Sequence, residues 1–81
     1  MILDPKTPGA RDARVIDTDT GAEIQFVCRL DSETGFVERL SYVDGKPELS
    51  EDGSRYLQIE ERRNFRVVHR TTGQLICQHP R

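Results

Sequence analysis

The clearest pattern in the chain is an alternation of apolar and polar positions over residues 22–30. The even-numbered positions there are all apolar, and the odd-numbered ones are polar except for Val27. Alternation of this kind is typical of a β-strand with one buried face. A turn over residues 31–35 leads into a second run over residues 36–43, so the sequence predicts a hairpin. A three-residue loop ending at Gly35 would pair Ser32 with Phe36 and bring the even-numbered side chains onto one apolar face.

Further strands are predicted on both sides of this hairpin, over residues 14–17, 55–60, 65–70 and 74–78. Three turns share a Thr-Gly ending, and they are Asp19-Thr20-Gly21, Glu33-Thr34-Gly35 and Thr71-Thr72-Gly73. Glycine readily enters the left-handed backbone conformation that the last position of a three-residue hairpin loop requires. Six short strands separated by turns predict an all-β fold, an antiparallel meander curled into a small, partly open barrel.

Two segments lie outside the predicted strands. Residues 1–12 contain Pro5, Pro8 and Gly9 among charged residues, and we expect them to form a flexible N-terminal lead-in. Residues 44–54 contain two Asp-Gly pairs and Pro47, and they are predicted to be the longest and most flexible loop. Residues 13–81 would then form a single small β-domain.

The composition fits one small folded domain. Leu, Ile, Val and Phe make up 20 of the 81 residues, above the roughly one fifth below which a charged chain stays disordered. No stretch reaches the ~20 apolar residues of a membrane span, and the N-terminus has no apolar signal segment. We therefore expect a soluble, cytoplasmic protein that does not bind a membrane. Two cysteines in such a compartment are expected to be reduced.

Charge is distributed unevenly along the chain. Residues 1–61 contain 7 Lys and Arg against 14 Asp and Glu, whereas residues 62–81 contain 5 Arg and no acid. Arginine binds carboxylate or phosphate groups through planar, paired contacts. The candidate binding residues here form an arginine strip of Arg62, Arg63, Arg66 and Arg70. The alternative is an ordinary solvated strand face whose arginines pair with acids of the same chain, such as Glu60 and Glu61.

A second candidate surface lies on the odd-numbered face of the predicted strands, opposite Phe26 and Leu40. Its apolar members are Val15, Val27, Val37 and Val43. These valines would form either a half-exposed strand surface or the centre of a protein interface rimmed by arginine. A homodimer joined through this face is one form that such an interface could take. Glu38 is an anomaly, because its parity places a charge on the core face.

The sequence gives weak support for a metal site or an active site. Cys28, His69, Cys77 and His79 supply the four ligands of a structural zinc, but they alternate with core residues instead of forming compact knuckles. We expect no metal and no cofactor, and a Cys28–Cys77 disulfide is the other alternative to two buried thiols. No nucleophile motif, metalloprotease motif or phosphate-binding glycine loop occurs, and a meander of this size leaves little volume for a pocket. We therefore expect a protein that is not an enzyme.

The functional prediction is a non-enzymatic protein-interaction or regulatory module that binds a protein partner through the valine face or the arginine strip. The alternative is a small nucleic-acid-binding β-barrel that uses the arginine strip. That alternative is weaker, because no aromatic residue is interleaved with the arginines on their face and the whole chain is acidic. The small size, the acidity and the lack of a catalytic motif fit an accessory or phage-encoded protein.

Overall fold

The structure is a computed structural model that describes residues 1–80, and it is built from short β-strands with one turn of 3₁₀ helix. The strands are β1 Ile2–Leu3, β2 Ala13–Asp17, β3 Val27–Asp31, β4 Phe36–Leu40, β5 Tyr42–Val43, β6 Lys46–Pro47, β7 Gln58–Arg62, β8 Phe65–His69 and β9 Leu75–His79. The 3₁₀ turn covers Ala10–Asp12. None of the helical structure in the described residues is long and apolar enough to cross a membrane.

The strands form two main antiparallel sheets and one small hairpin. The first sheet has the order β1-β3-β4-β7, the second has the order β2-β8-β9, and β5 pairs with β6. Neither sheet closes on itself, so the prediction of an open, antiparallel all-β fold is confirmed. The strand order is not sequential throughout, since β2 lies beside β8 and β7 lies beside β4.

The core draws on residues from both main sheets. Its most deeply buried side chains are Leu30, Val37, Phe65 and Val67, each 0% exposed. Leu3 of β1 joins this cluster, because β1 pairs with β3 and aligns Leu3 with Leu30. The segment for which a flexible lead-in was expected therefore contributes a paired strand and a core residue.

The register of the β3–β4 hairpin differs by one residue from the predicted one. Asp31 pairs with Phe36, and Leu30 pairs with Val37. Ser32 lies in the loop, which has four residues (32–35) and is closed by the Gly35 N–H donating to the Asp31 carbonyl. On the β1 side, the Ser32 N–H donates to the Met1 carbonyl and its hydroxyl accepts from the N-terminal amino group at 3.1 Å. A shift of one residue exchanges the two faces of a strand. The shift puts Val37 in the core and removes the predicted conflict at Glu38.

Phe26 interrupts the strand that was predicted over residues 22–30. It has a left-handed backbone with φ of 58°, and a register shift between Val27 and Arg29 follows it. Before this point the chain pairs with β2, since the Ile24 N–H donates to the Val15 carbonyl. After it, β3 pairs with β4 in the other sheet. Phe26 is therefore the corner at which the chain passes from one sheet to the other.

The three Thr-Gly turns and their left-handed glycines are confirmed, but each loop has four residues (18–21, 32–35 and 70–73) instead of the predicted three. Gly21, Gly35 and Gly73 have φ of 77°, 79° and 73°. In each turn the glycine N–H donates to the carbonyl four residues earlier, which belongs to Asp17, Asp31 or His69. The shared sequence thus produces the same local geometry in three places.

Residues 41–57 form an extension of the β4–β7 ladder that we call the β-arm. Asp44 and Gly45, with φ of 53° and 77°, form the tight turn between β5 and β6. The chain then turns back a second time, with Leu49 bridged to Tyr56. The Ser41 N–H donates to the Leu57 carbonyl at the base of the arm. The prediction of one long loop over residues 44–54 is wrong, because two consecutive hairpins fill that segment.

Candidate functional site

The four arginines of the predicted strip lie in different surroundings. Arg62 ends β7 and donates to the Thr34 carbonyl, and Arg63 is half-buried between two carboxylates. Arg66 is exposed at the middle of β8, on the face opposite the buried Phe65 and Val67. Arg70 follows β8, and its backbone N–H donates to the Asp12 carbonyl. A partner-binding role for these residues stays a prediction, but the strip is divided between two sheets.

Arg63 connects the two sheets through a chain of ion pairs. Its Nη1 lies 2.9 Å from Asp17 Oδ2, and its Nη2 lies 2.7 Å from Glu61 Oε2. Glu61 Oε1 in turn accepts a hydrogen bond of 2.6 Å from Arg39 Nε, and the Arg39 guanidinium lies 5.0 Å from the centre of the Tyr42 ring. These contacts favour the alternative in which arginines pair with the chain's own acids, at least for Arg63. They also fix Tyr42 at the base of the β-arm.

The carboxylate of Asp17 is the buried end of this network. Burial by itself raises the pKa of Asp17, but hydrogen bonds from the Asp19 and Thr20 N–H groups and from Arg63 outweigh it, so the pKa lies below its usual value. The same pairing with Glu61 and Asp17 raises the pKa of Arg63 in spite of its burial. Arg63 is therefore a charged structural residue in this fold.

The predicted valine face does not exist as a surface. Val15 and Val37 are core residues, with 7% and 0% exposure, and Val27 packs against the core. Two shifts cause the difference, the one-residue register change in the β3–β4 hairpin and the corner at Phe26. Only Val43 is exposed, at 56%, and it lies near the tip of the β-arm.

The β-arm instead presents an aromatic face that the sequence reading missed. Tyr42 is directly opposite Pro47, Leu49 is directly opposite Tyr56, and Pro47 and Leu49 are two residues apart on one strand. Residues two apart on a strand share a face, so these four side chains lie on the same side of the arm. The Phe26 ring extends this face, since it meets the Tyr42 ring edge-on with centroids 5.6 Å apart. We call these five residues the aromatic face.

The aromatic face is accessible to solvent. Leu49 and Tyr56 are each 54% exposed, and Phe26 is 38% exposed. The opposite side of the arm is different, because Ser41 and Glu48 hydrogen-bond there at 2.7 Å and Val43 pairs with Lys46. The face holds three of the five aromatic residues of the chain. The sequence signal that could have revealed it is Asp44-Gly45, a preferred two-residue hairpin turn, which fixes the register of Tyr42 against Pro47.

The β-arm is acidic. Residues 41–57 contain Asp44, Glu48, Glu51 and Asp52 against Lys46 and Arg55. At the second turn of the arm the Ser50 hydroxyl and the Ser54 N–H and hydroxyl all donate to Asp52, and these hydrogen bonds lower the pKa of Asp52 to about 2. The arm therefore stays negatively charged throughout the neutral pH range.

A cleft of about 480 Å³ lies beside β1 and β2. Its apolar wall includes Leu3, Val15 and Ile24 of the core, and Arg11 and Arg70 also line it. A cleft of this volume is within the range of small-molecule pockets, which is about 300–1,000 Å³. The expectation that so small a β-domain leaves little volume for a pocket is therefore wrong.

The cysteines and histidines that were considered as metal ligands lie apart. His79 Nδ1 donates to the Ser32 carbonyl at 2.8 Å, whereas His69 contacts Thr71. Cys28 and Cys77 are half-buried free thiols, and burial raises the pKa of both. Within residues 1–80, no three side chains of His, Cys, Asp or Glu come together as a candidate metal site.

Comparisons with protein-family models, with curated protein sequences and with solved structures found no match to this chain.

Proposed function

We propose that this protein is a non-enzymatic interaction module that binds a protein partner through the aromatic face of the β-arm. The observation that carries the proposal is the alignment of Phe26, Tyr42, Pro47, Leu49 and Tyr56 on one accessible side of a projecting arm. Tyrosine and other aromatic residues are enriched in the cores of protein interfaces, where they contribute most of the binding energy.

The base of the arm is rigid enough to present these side chains in one arrangement. Tyr42 is held between the Phe26 ring and the Arg39 guanidinium, and Arg39 is itself anchored by Glu61. A side chain that is already ordered loses less entropy when a partner covers it. This supports Tyr42 as the fixed part of the binding surface and Tyr56 as its more exposed part.

The charges around the face support a protein partner with an apolar patch and a basic rim. Four acids and two bases surround the aromatic face in residues 41–57. Single-stranded nucleic acid also stacks on aromatic side chains, but it requires a basic groove that follows the phosphates. An acidic arm repels phosphates, and this makes nucleic acid the weaker candidate. Two free thiols are compatible with a reducing compartment such as the cytoplasm.

The test compares partner capture from an extract of the native cells by three forms of the protein. They are the wild type, the double variant Leu49→Ser/Tyr56→Ser, and the control Leu75→Ser. Leu75 is 49% exposed, close to the 54% of Leu49, but it lies on β9 in the other sheet. We expect the wild type and the control to retain the same protein partner after nuclease treatment, and the arm variant to lose it.

Measured with the purified partner, the arm variant should bind at least about 30-fold more weakly, the loss expected when a tyrosine anchor of about 2 kcal/mol is removed. Equal affinity of the arm variant and the wild type would refute the proposal. Loss of every partner upon nuclease treatment would instead support the nucleic-acid-binding alternative, in which Arg62, Arg66 and Arg70 would be the residues to replace.

A further inference from the structure

The cleft beside β1 and β2 combines an apolar interior with a cationic edge. Its interior is formed by Leu3, Val15, Ile24 and Val27, which belong to the core or pack against it. The core is therefore accessible from this side. Pockets for small molecules are mostly apolar and contain a few polar groups that orient the ligand.

Two arginines supply the polar groups, and their charges are not neutralised. Arg11 and Arg70 both line the cleft, and they are neighbours in space because the Arg70 N–H donates to the carbonyl of Asp12. Within the described residues 1–80, neither guanidinium makes an ion pair or a hydrogen bond. This differs from Arg14, Arg39 and Arg63, each of which has a carboxylate partner.

The two acids that line the cleft are already occupied. Asp4 Oδ1 accepts hydrogen bonds from the Lys6 N–H and the Thr7 hydroxyl. Glu23 Oε1 is 3.0 Å from Arg14 Nε. Glu23 is thus neutralised by Arg14, whereas Asp4 keeps its negative charge because both of its donors are neutral groups. The lining therefore carries two unpaired arginine charges against one carboxylate, a net positive charge that favours an anion. Guanidinium pairs with a carboxylate through two parallel hydrogen bonds.

From this geometry we infer that the cleft is a binding site for a small amphipathic carboxylate, whose apolar tail lies against Leu3, Val15 and Ile24 and whose carboxylate lies between Arg11 and Arg70. The site is distinct from the aromatic face, although Phe26 contributes to both. Cys28 also lines the cleft, so the reactivity of its thiol can report on occupancy.

The test is a titration of the ¹⁵N-labelled protein with octanoate, followed by amide chemical shifts. Octan-1-ol has the same chain length without the charge, and acetate has the charge without the tail. We expect octanoate to shift the amides of Leu3, Val15, Ile24 and Val27 and to bind at least about fivefold more tightly than octan-1-ol, the effect of an exposed charge pair near 1 kcal/mol. Acetate should cause no saturable shift.

The arginine variants separate a specific site from general binding to apolar surface. Arg11→Gln/Arg70→Gln should reduce the affinity for octanoate to that for octan-1-ol, whereas the control Arg66→Gln should bind octanoate like the wild type. Octanoate should also slow the modification of Cys28 by a thiol reagent without affecting Cys77. Equal affinity for octanoate and octan-1-ol, shifts centred on the β-arm, or no effect of the double arginine variant would overturn the inference.

Discussion

Adding a single methyl group at Gly35 tests the packing of the Thr-Gly turns quantitatively. A Cβ atom on Gly35 would lie 2.6 Å from His79 Cδ2, 2.8 Å from His79 Nε2 and 3.0 Å from the Arg63 carbonyl oxygen. The same atom on Gly21 or Gly73 would meet nothing within 4 Å. All three glycines have a left-handed backbone, with φ between 73° and 79°. The three turns thus provide a matched set in which only the steric surroundings differ.

The expected costs follow from this difference. Alanine in a left-handed conformation costs about 1–2 kcal/mol, and this applies at all three positions. At Gly35 the His79 ring must also move, which breaks its hydrogen bond to the Ser32 carbonyl and disturbs its contact with the Phe65 ring. Loss of the hydrogen bond adds about 1 kcal/mol, and overpacking adds about 1–3 kcal/mol. We therefore expect Gly35→Ala to destabilise the fold by roughly 3–6 kcal/mol and Gly21→Ala or Gly73→Ala by about 1–2 kcal/mol.

Urea unfolding followed by circular dichroism measures these differences directly. In a His79→Ala background the ring is absent, so the cost of Gly35→Ala should fall to near that of Gly21→Ala, with the Arg63 carbonyl as the one remaining close contact. The reasoning is wrong if Gly35→Ala and Gly21→Ala destabilise the wild type equally, within about 0.5 kcal/mol.

Three further predictions concern the corner, the buried carboxylate and the thiols. Phe26→Gly should be more stable than Phe26→Ala by about 1 kcal/mol in urea unfolding, because glycine removes the left-handed strain; equal stabilities would count against the corner geometry. Since the pKa of Asp17 is lowered in the folded state, its contribution to stability should be complete above its unfolded pKa of about 3.9 and should disappear as the pH falls through the folded value. The difference in unfolding free energy between the wild type and Asp17→Asn should therefore shrink as the pH is lowered. In an Arg63→Ala background this decrease should begin at a higher pH. A difference in unfolding free energy that does not depend on pH would refute the role given to Asp17. Because burial raises the pKa of Cys28 and Cys77, both thiols should react with a thiol reagent at pH 8 more slowly than in urea, and equal rates would contradict the half-buried placement.

The elements that depend on local chemistry could be predicted from the sequence. The Thr-Gly turns require only that glycine take a left-handed backbone, and Gly21, Gly35 and Gly73 all do so. Predictions of this kind succeed because the deciding contacts lie within a few residues of one another.

The elements that depend on distant contacts could not be predicted. The pairing of β1 with β3 brings Met1 against Ser32, 31 residues away in sequence, and no strand pattern in residues 1–12 indicates it. Phe26 interrupts an otherwise regular alternation of apolar and polar residues because the chain changes sheets there. Its neighbours Gln25 and Val27 are not typical turn residues, so the sequence does not indicate the corner. The aromatic face was missed for a related reason, since it arises only when Tyr42, Leu49 and Tyr56 are brought together by two successive hairpins.

The most direct measurement of the proposed function is site-specific photocrosslinking in an extract of the native cells. A photoreactive phenylalanine derivative replaces Tyr56 in one variant and Leu75 in a second variant. Both positions are exposed, but Tyr56 lies in the β-arm and Leu75 lies in β9. The proposal predicts that position 56 crosslinks to a defined protein and that position 75 does not. Crosslinking of that protein at position 75 alone, or of nucleic acid instead of protein at position 56, would contradict it.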